Sequence, residues 1–320
     1  MDANNPIPPD SQPQAHPDAC FDASWLDLRR AADSAARVPD LEARAARWLR
    51  QRQASAPPGC TLRLLDLGSG SGANPRHLAP RLPGPQQWTL IDHDVGLLAR
   101  AHDACVGLRD AEGASVTVIT RTLDLSRLDP TTLAGADLVC ASALLDLVDA
   151  AWLEQLADAC AAADSALLVT LSVDGTWRFL PDASMSANRA GWTDADDAFV
   201  RSAFNDHQRR DKGLGAALGP DAVPALRARL QQRGFDLHQS PSPWRLRLDQ
   251  PAQAALARAL IDGWRDAACA QRPDQAERIA AWHARRLAAL GPSSGSGGAT
   301  LEVGHIDLFA TPPRPAHRAG

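Results

Sequence analysis

The run Leu64-Leu65-Asp66-Leu67-Gly68-Ser69-Gly70-Ser71-Gly72 ends an apolar stretch in a carboxylate and goes straight into a glycine-rich turn. Glycine adopts backbone angles closed to other residues and lets a ligand approach the main chain. At the carboxyl ends of parallel strands, such a turn is well placed for a nucleotide-like cofactor. Gly68, Gly70 and Ala73 fit the G-x-G-x-x-A form of the dinucleotide fingerprint, and Asp92 follows at about the 20-residue spacing which that fingerprint requires. A nicotinamide or flavin enzyme is therefore one reading, and a tight strand-to-helix turn without a ligand is another. A phosphate loop of the G-x-x-x-x-G-K-[ST] type is excluded, because no Lys-Ser or Lys-Thr follows the glycines.

Taken in order, four segments resemble the class I S-adenosylmethionine-dependent methyltransferases. They are Leu-Leu-Asp-Leu-Gly-Ser-Gly-Ser-Gly at 64–72, Leu-Ile-Asp-His-Asp at 90–94, Arg-Thr-Leu-Asp-Leu at 121–125, and Ala-Asp-Leu-Val-Cys-Ala-Ser-Ala-Leu-Leu-Asp at 136–146. The closing run Val303-Gly304-His305-Ile306-Asp307-Leu308-Phe309 resembles the last strand of many members.

The resemblance implies S-adenosyl-L-methionine as cofactor and assigns roles. Asp66 would hold the methionine end, with Gly68, Ser69, Gly70 and Gly72 passing beneath it. Asp92 would accept from both ribose hydroxyls, since adjacent hydroxyls suit a bidentate carboxylate and charged hydrogen bonds are the stronger ones. His93 and Asp94 would flank the adenosine, Asp124 would receive the adenine amino group, and the Leu125 amide would meet a ring nitrogen. Ala141 and Ser142 would lie near the methionine carboxylate or the transferred methyl. The cofactor has no pyrophosphate, so the turn needs space and amides more than cations. For Asp92 the alternative is capping of the next turn, and for Asp124 a solvated loop acid before Ser126–Leu128. The chain departs from the base- and glutamine-methylating members: Ala141-Ser142-Ala143-Leu144 stands where an Asn-Pro-Pro-Tyr-like tetrapeptide would be.

Methyl transfer needs an acceptor aligned behind the sulfonium methyl, and a general base only if the acceptor arrives protonated. The stretch after the fifth strand is the expected acceptor cover. Asp174-Gly175-Thr176-Trp177 lies near that strand's end, and 204–213 gathers Phe204, Asn205, Asp206, His207, Gln208, Arg209, Arg210, Asp211 and Lys212. If helical, Phe204, His207 and Asp211 share a face, as do Gln208 and Lys212. His207 is the candidate base or acceptor-orienting group, because imidazole exchanges a proton near neutral pH. Trp177 and Trp244 could flank a planar or cationic acceptor; Asn205, Arg210 and His305 complete the candidate set. Core packing is the plain alternative for both tryptophans, and an internal hydrogen bond for His305.

Composition bounds these readings. The chain has 320 residues, 45% of them hydrophobic and 22% charged, with a net charge of -5. That is ordinary for a soluble globular protein and lacks the basic stripe a general nucleic-acid binder needs. Six scattered cysteines, Cys20, Cys60, Cys105, Cys140, Cys160 and Cys269, form no CxxC pair or Cys/His cluster, so no metal site is expected. No signal-peptide pattern and no run of about 18 apolar residues occurs, which leaves the cytoplasm as the expected location and no membrane span.

The positioning elements read as an α/β, doubly wound, seven-stranded, mostly parallel sheet with helical insertions, a Rossmann-like methyltransferase fold. Residues 1–19 are a flexible tail and 20–56 one or two amphipathic helices. Residues 57–172 alternate short apolar runs with Ala-rich helices, the pattern of βαβ units: strands at Thr61–Leu67, Gln87–Asp92, Ser115–Thr120, Ala136–Ala141 and Ala166–Ser172, helices at Asn74–Arg81, Val95–Glu112 and Trp152–Ala163. Residues 173–220 form the cover. Residues 221–312 complete the sheet with a helix at Asp221–Gln232, a strand at Phe235–His238, two helices in 251–290 broken near Arg272–Pro273, a loop at Gly291–Gly298 and a last strand at Thr300–Thr311; 313–320 is a second tail. The 251–290 helices enlarge the cover or serve a homodimer interface.

The expected function is methylation of a small metabolite or natural-product intermediate at O, N or C by direct in-line displacement. The alternatives are an NAD(P)-dependent oxidoreductase and a non-catalytic cofactor-binding interaction protein.

Overall fold

The computed structural model describes residues 23–181, 194–211, 214–290 and 299–313. The expected tail at 1–19, the expected loop Gly291–Gly298, nearly all of 313–320, Cys20 and Lys212 lie outside the described residues.

An eight-stranded sheet organises the chain. Its strands are β1 (Leu62–Leu67), β2 (Gln86–Asp92), β3 (Thr117–Thr122), β4 (Leu138–Ser142), β5 (Ala166–Leu180), β6 (Asp236–Pro241), β7 (Trp244–Arg247) and β8 (Thr300–Thr311). The order is β3-β2-β1-β4-β5-β8-β6, with β7 also on β8. β1 to β5 pair in parallel, while β8 runs antiparallel to β5, β6 and β7. This is the mostly parallel, Rossmann-like methyltransferase fold. β7 is an eighth strand beyond the seven expected; it is only four residues long and follows Pro241 and Pro243, so it reads as loop.

Helices cover both faces, as an all-parallel region requires. On one face α2 (Pro39–Ala54), α3 (Ala73–Leu78) and α4 (Val95–Ala104) bury Leu41, Leu49, Leu78 and Leu98 around Trp88. On the other, α5 (Ala150–Ala162) and α7 (Ala222–Gln232) bury Trp152, Leu156, Leu226 and Leu230. Asp94 caps α4 by accepting from the Leu97 amide at 3.0 Å, and Asp149 caps α5 by accepting from the Trp152 amide at 2.8 Å. The expected helix Val95–Glu112 stops at Ala104. Gly107 and Gly113 take left-handed angles, and Asp110 accepts from the amides of Glu112 and Ala114, which ties the chain into a turn instead.

β5 does not end at Ser172. It continues to Leu180 along β8 through register shifts at Val169/Ser172 and Val173/Trp177, so it crosses the boundary expected at 172/173. The run Asp174-Gly175-Thr176 has turn chemistry, and bulges absorb it without breaking the pairing. The extension carries a third core with α6 (Asp197–Gln208), α8 (Pro251–Gln271) and α9 (Ala276–Ala289), in which Trp177 stacks on Trp264 at 4.4 Å between centroids. α1 (Ala23–Ala36) crosses the sheet ends: Arg100 on α4 meets Asp27 at 3.3 Å, and Leu26 lies over Gly70. No helix among the described residues is long and apolar enough to cross a membrane.

Candidate cofactor and acceptor site

The strand order reverses between β1 and β4, where open α/β sheets form their ligand crevice. A cavity of about 1410 Å³ lies there, above the carboxyl ends of the strands.

Its floor is acidic. β1 delivers Asp66, 1% exposed, whose Oδ1 accepts from Asn74 Nδ2 at 2.7 Å while the buried Oδ2 has no partner. Burial pushes its carboxyl up to about 7, against the opposing pull of Asn74 and Arg37. β2 delivers Asp92, which accepts from the Gly70 amide at 2.8 Å and the Asp94 amide at 3.0 Å. Each of its oxygens keeps a lone pair for a ligand. His93 sits beside it, Nδ1 3.3 Å from Asp92 Oδ1. Beyond β3, Asp124 accepts from the Ser126 amide at 2.9 Å and also lines the cavity, so it caps a turn and faces the ligand space at once. Leu125 and Ser142 line it as well.

The glycine turn is arranged differently from expectation. Ser69 donates its amide to Ile91 O at 3.0 Å, Gly70 to Asp92 and Gly72 to Ser69 O at 2.9 Å. The loop thus supplies space, while these three amides are spent internally. Gly68 and Gly70 line the cavity with Ser69, whose buried hydroxyl has no partner. Gly72 does not line it; at φ 75° it starts α3, and a Cβ there would meet Ala101 Cα at 3.1 Å. Ala141 is also off the cavity, buried between Leu67 and Val169 on the neighbouring strands.

The acceptor candidates divide. His207 and Arg210 line the cavity from the α6 end, Arg210 donating to Ala270 O at 2.9 Å. Asn205 does not; its Nδ2 donates to Gly175 O at 2.9 Å and holds the β5 bulge. Trp177 and Trp244 are 3% exposed and belong to the third core. Trp244 packs against His305 at 4.7 Å, with the Arg29 guanidinium 5.3 Å from its ring centroid. His305 donates from Nδ1 to Val303 O at 3.0 Å, and burial pushes its imidazole down to about 3, which keeps it neutral. None of these three reaches the cavity.

Residues outside the expected set complete the walls. α1 turns Leu26, Arg29, Asp33 and Ser34 inward, and Arg37 follows just beyond its end. Their spacing of three and four is the helical signal that marks one face, though it reads equally as an ordinary solvated stripe. Gln208 is buried against the cavity with Oε1 unpartnered. Among the described residues no group of three or more His, Cys, Asp or Glu is arranged to hold a metal ion.

No family model matches the chain, and no curated protein matches it. Solved structures similar in outline include the cyclopropane synthase MmaA2 from Mycobacterium tuberculosis, 12% identical over 85% of this chain and 83% of that one, with a TM-score of 0.42. A SAM-dependent methyltransferase from Geobacter sulfurreducens, in complex with S-adenosyl-L-homocysteine, is 17% identical over 90% and 98%, with a TM-score of 0.40. One from Thiobacillus denitrificans is 16% identical over 91% and 99%, also at 0.40. Likeness this remote assigns no residue a role; the reading of the site rests on its own geometry.

Proposed function

We propose that the protein transfers a methyl group from S-adenosylmethionine to a small molecule. One observation carries this: the strand ends present Asp66, Asp92 and Asp124 to a single cavity, beside a glycine turn whose amides at Ser69, Gly70 and Gly72 are already consumed. A pyrophosphate needs free amides and no carboxylate such as Asp66 facing it at the turn, whereas Asp92 suits the ribose of either cofactor. A ligand with a sulfonium, an ammonium and a ribose suits the acidic floor. The geometry therefore favours this cofactor over a nicotinamide dinucleotide.

When bound, the cofactor supplies an electrophilic methyl. Asp92 accepts from the ribose hydroxyls, Asp66 Oδ2 faces the methionine end, and Asp124 with Leu125 borders the adenine. Ser142, at the end of β4, lies beside the reacting centre. Leu144 and Leu147 give that region an apolar border, which favours a charge-cancelling displacement over solvolysis. His207 and Arg210 orient the acceptor, and His207 takes its proton where the acceptor arrives protonated. A cavity of about 1410 Å³ leaves room beside the cofactor for a small metabolite or natural-product intermediate.

Asp92→Ala tests the assignment. Calorimetry on folded protein is expected to show S-adenosylmethionine binding weakened by about 1.5–3 kcal/mol, the range for hydrogen bonds to a charged group. Unchanged affinity in a variant with a wild-type melting profile would remove Asp92 from the site.

A further inference from the structure

Arg37 is a buried guanidinium in the cavity wall, 8% exposed. Its Nη1 donates to Thr170 Oγ1 at 2.8 Å, and its Nε is buried with no partner. Among the described residues no carboxylate lies within 4.0 Å of it, whereas Arg29, in the same wall, is matched by Asp33 at 2.8 Å. A buried charge without a counter-ion is strongly disfavoured. The acids that feel Arg37 at longer range are Asp66 and Asp307; burial raises the pKa of both, against the pull of Arg37. Asp307 is further occupied by the Leu171 amide at 2.7 Å and Ser242 Oγ at 2.5 Å.

The position is specific. Thr170 ends the parallel part of β5, and its carbonyl accepts from the Ala143 amide at 2.9 Å, so Arg37 is anchored beside the end of β4. Ala143 borders the cavity there with φ 52°.

We propose that Arg37 is a carboxylate-binding residue of this cavity, completed by a ligand that brings the missing anion. A planar guanidinium matches a carboxylate bidentately. A doubly charged phosphate is the poorer match, because the carboxylates of Asp92 and Asp124 line the same cavity. Resting on the cofactor reading above, the first source is the α-carboxylate of S-adenosylmethionine, which is carried on the same carbon as the ammonium that the acidic floor would receive. The second source is a carboxylate on the methyl acceptor.

The test uses full-length wild-type protein, Arg37→Gln and Arg37→Lys. Calorimetry compares S-adenosylhomocysteine with 5′-methylthioadenosine, which lacks the amino-acid portion; thermal melts of the S-adenosylhomocysteine complex with added acetate probe the second source. If the donor is the source, Arg37→Gln loses about tenfold or more for S-adenosylhomocysteine and little for methylthioadenosine, with Arg37→Lys intermediate. A general structural role would weaken both ligands together. If the acceptor is the source, both affinities stay at their wild-type values, while acetate stabilises the wild-type complex and not the Arg37→Gln complex. A folded Arg37→Gln with an unchanged ratio and an unchanged acetate response overturns the proposal, and so does equal weakening of both ligands; if Arg37→Gln does not fold, Arg37→Lys is read by the same criteria. Failure of wild-type protein to bind either nucleoside would instead strike the cofactor reading, and acetate on the free protein would then decide Arg37 alone.

Discussion

Asp66 and His305 are both buried, yet they bias stability in opposite directions with pH. Asp66 has its folded pKa raised to about 7 from 3.8, so the folded state holds an extra proton between those values. Its contribution is complete below the unfolded pKa and is lost as pH rises towards 7. Asp66→Asn is expected to flatten that decline, measured as urea midpoints from pH 4 to 8; a slope identical to wild type would contradict it. His305 has its folded pKa lowered to about 3 from 6.5, so its contribution is present above 6.5 and is lost as pH falls towards 3. His305→Asn is expected to reduce acid sensitivity in that window. The strand-end acids Asp66 and Asp92 were legible in the sequence, because an acid closing an apolar run ahead of a turn is a local pattern. Arg37 was not: its three-and-four spacing from Ser34 and Asp33 reads equally as a solvated stripe, and its meaning comes from Thr170, 133 positions away.

The elements were legible to different degrees, and the reason is the range of the forces that set them. The two helices of 251–290, with their break near Arg272–Pro273, and the last strand at Thr300–Thr311, marked by its apolar content and late position, stand where the sequence places them. β5 runs past the expected end at Ser172 because pairing with β8 overrides the turn chemistry of Asp174-Gly175-Thr176. That same extension moves Trp177 into the third core, against Trp264. Trp177→Ala is therefore expected to cost about 3–5 kcal/mol of stability in urea unfolding, the usual loss for a buried aromatic, with S-adenosylhomocysteine affinity close to wild type. Loss of affinity without loss of stability would return Trp177 to the site. At the turn, Gly72→Ala is expected to cost about 1–2 kcal/mol, because the left-handed angle disfavours a Cβ and Ala101 stands in its way.

At the scale of the molecule, two layers of helices clamp the parallel sheet, and a third core extends one side of it. The cavity lies where α1, α6 and α8 meet the strand ends, so its floor comes from the regular α/β half and its walls from the additions. The floor belongs to repeating local patterns and could be read in advance; the walls depend on how distant helices meet. In the function proposed above, the acidic floor and the spent amides seat S-adenosylmethionine rather than a dinucleotide. Calorimetric titration of the wild-type protein with S-adenosylhomocysteine and with NAD⁺, side by side, tests it most directly. Saturable one-to-one binding of S-adenosylhomocysteine and none of NAD⁺ is expected; the reverse pattern would overturn the assignment.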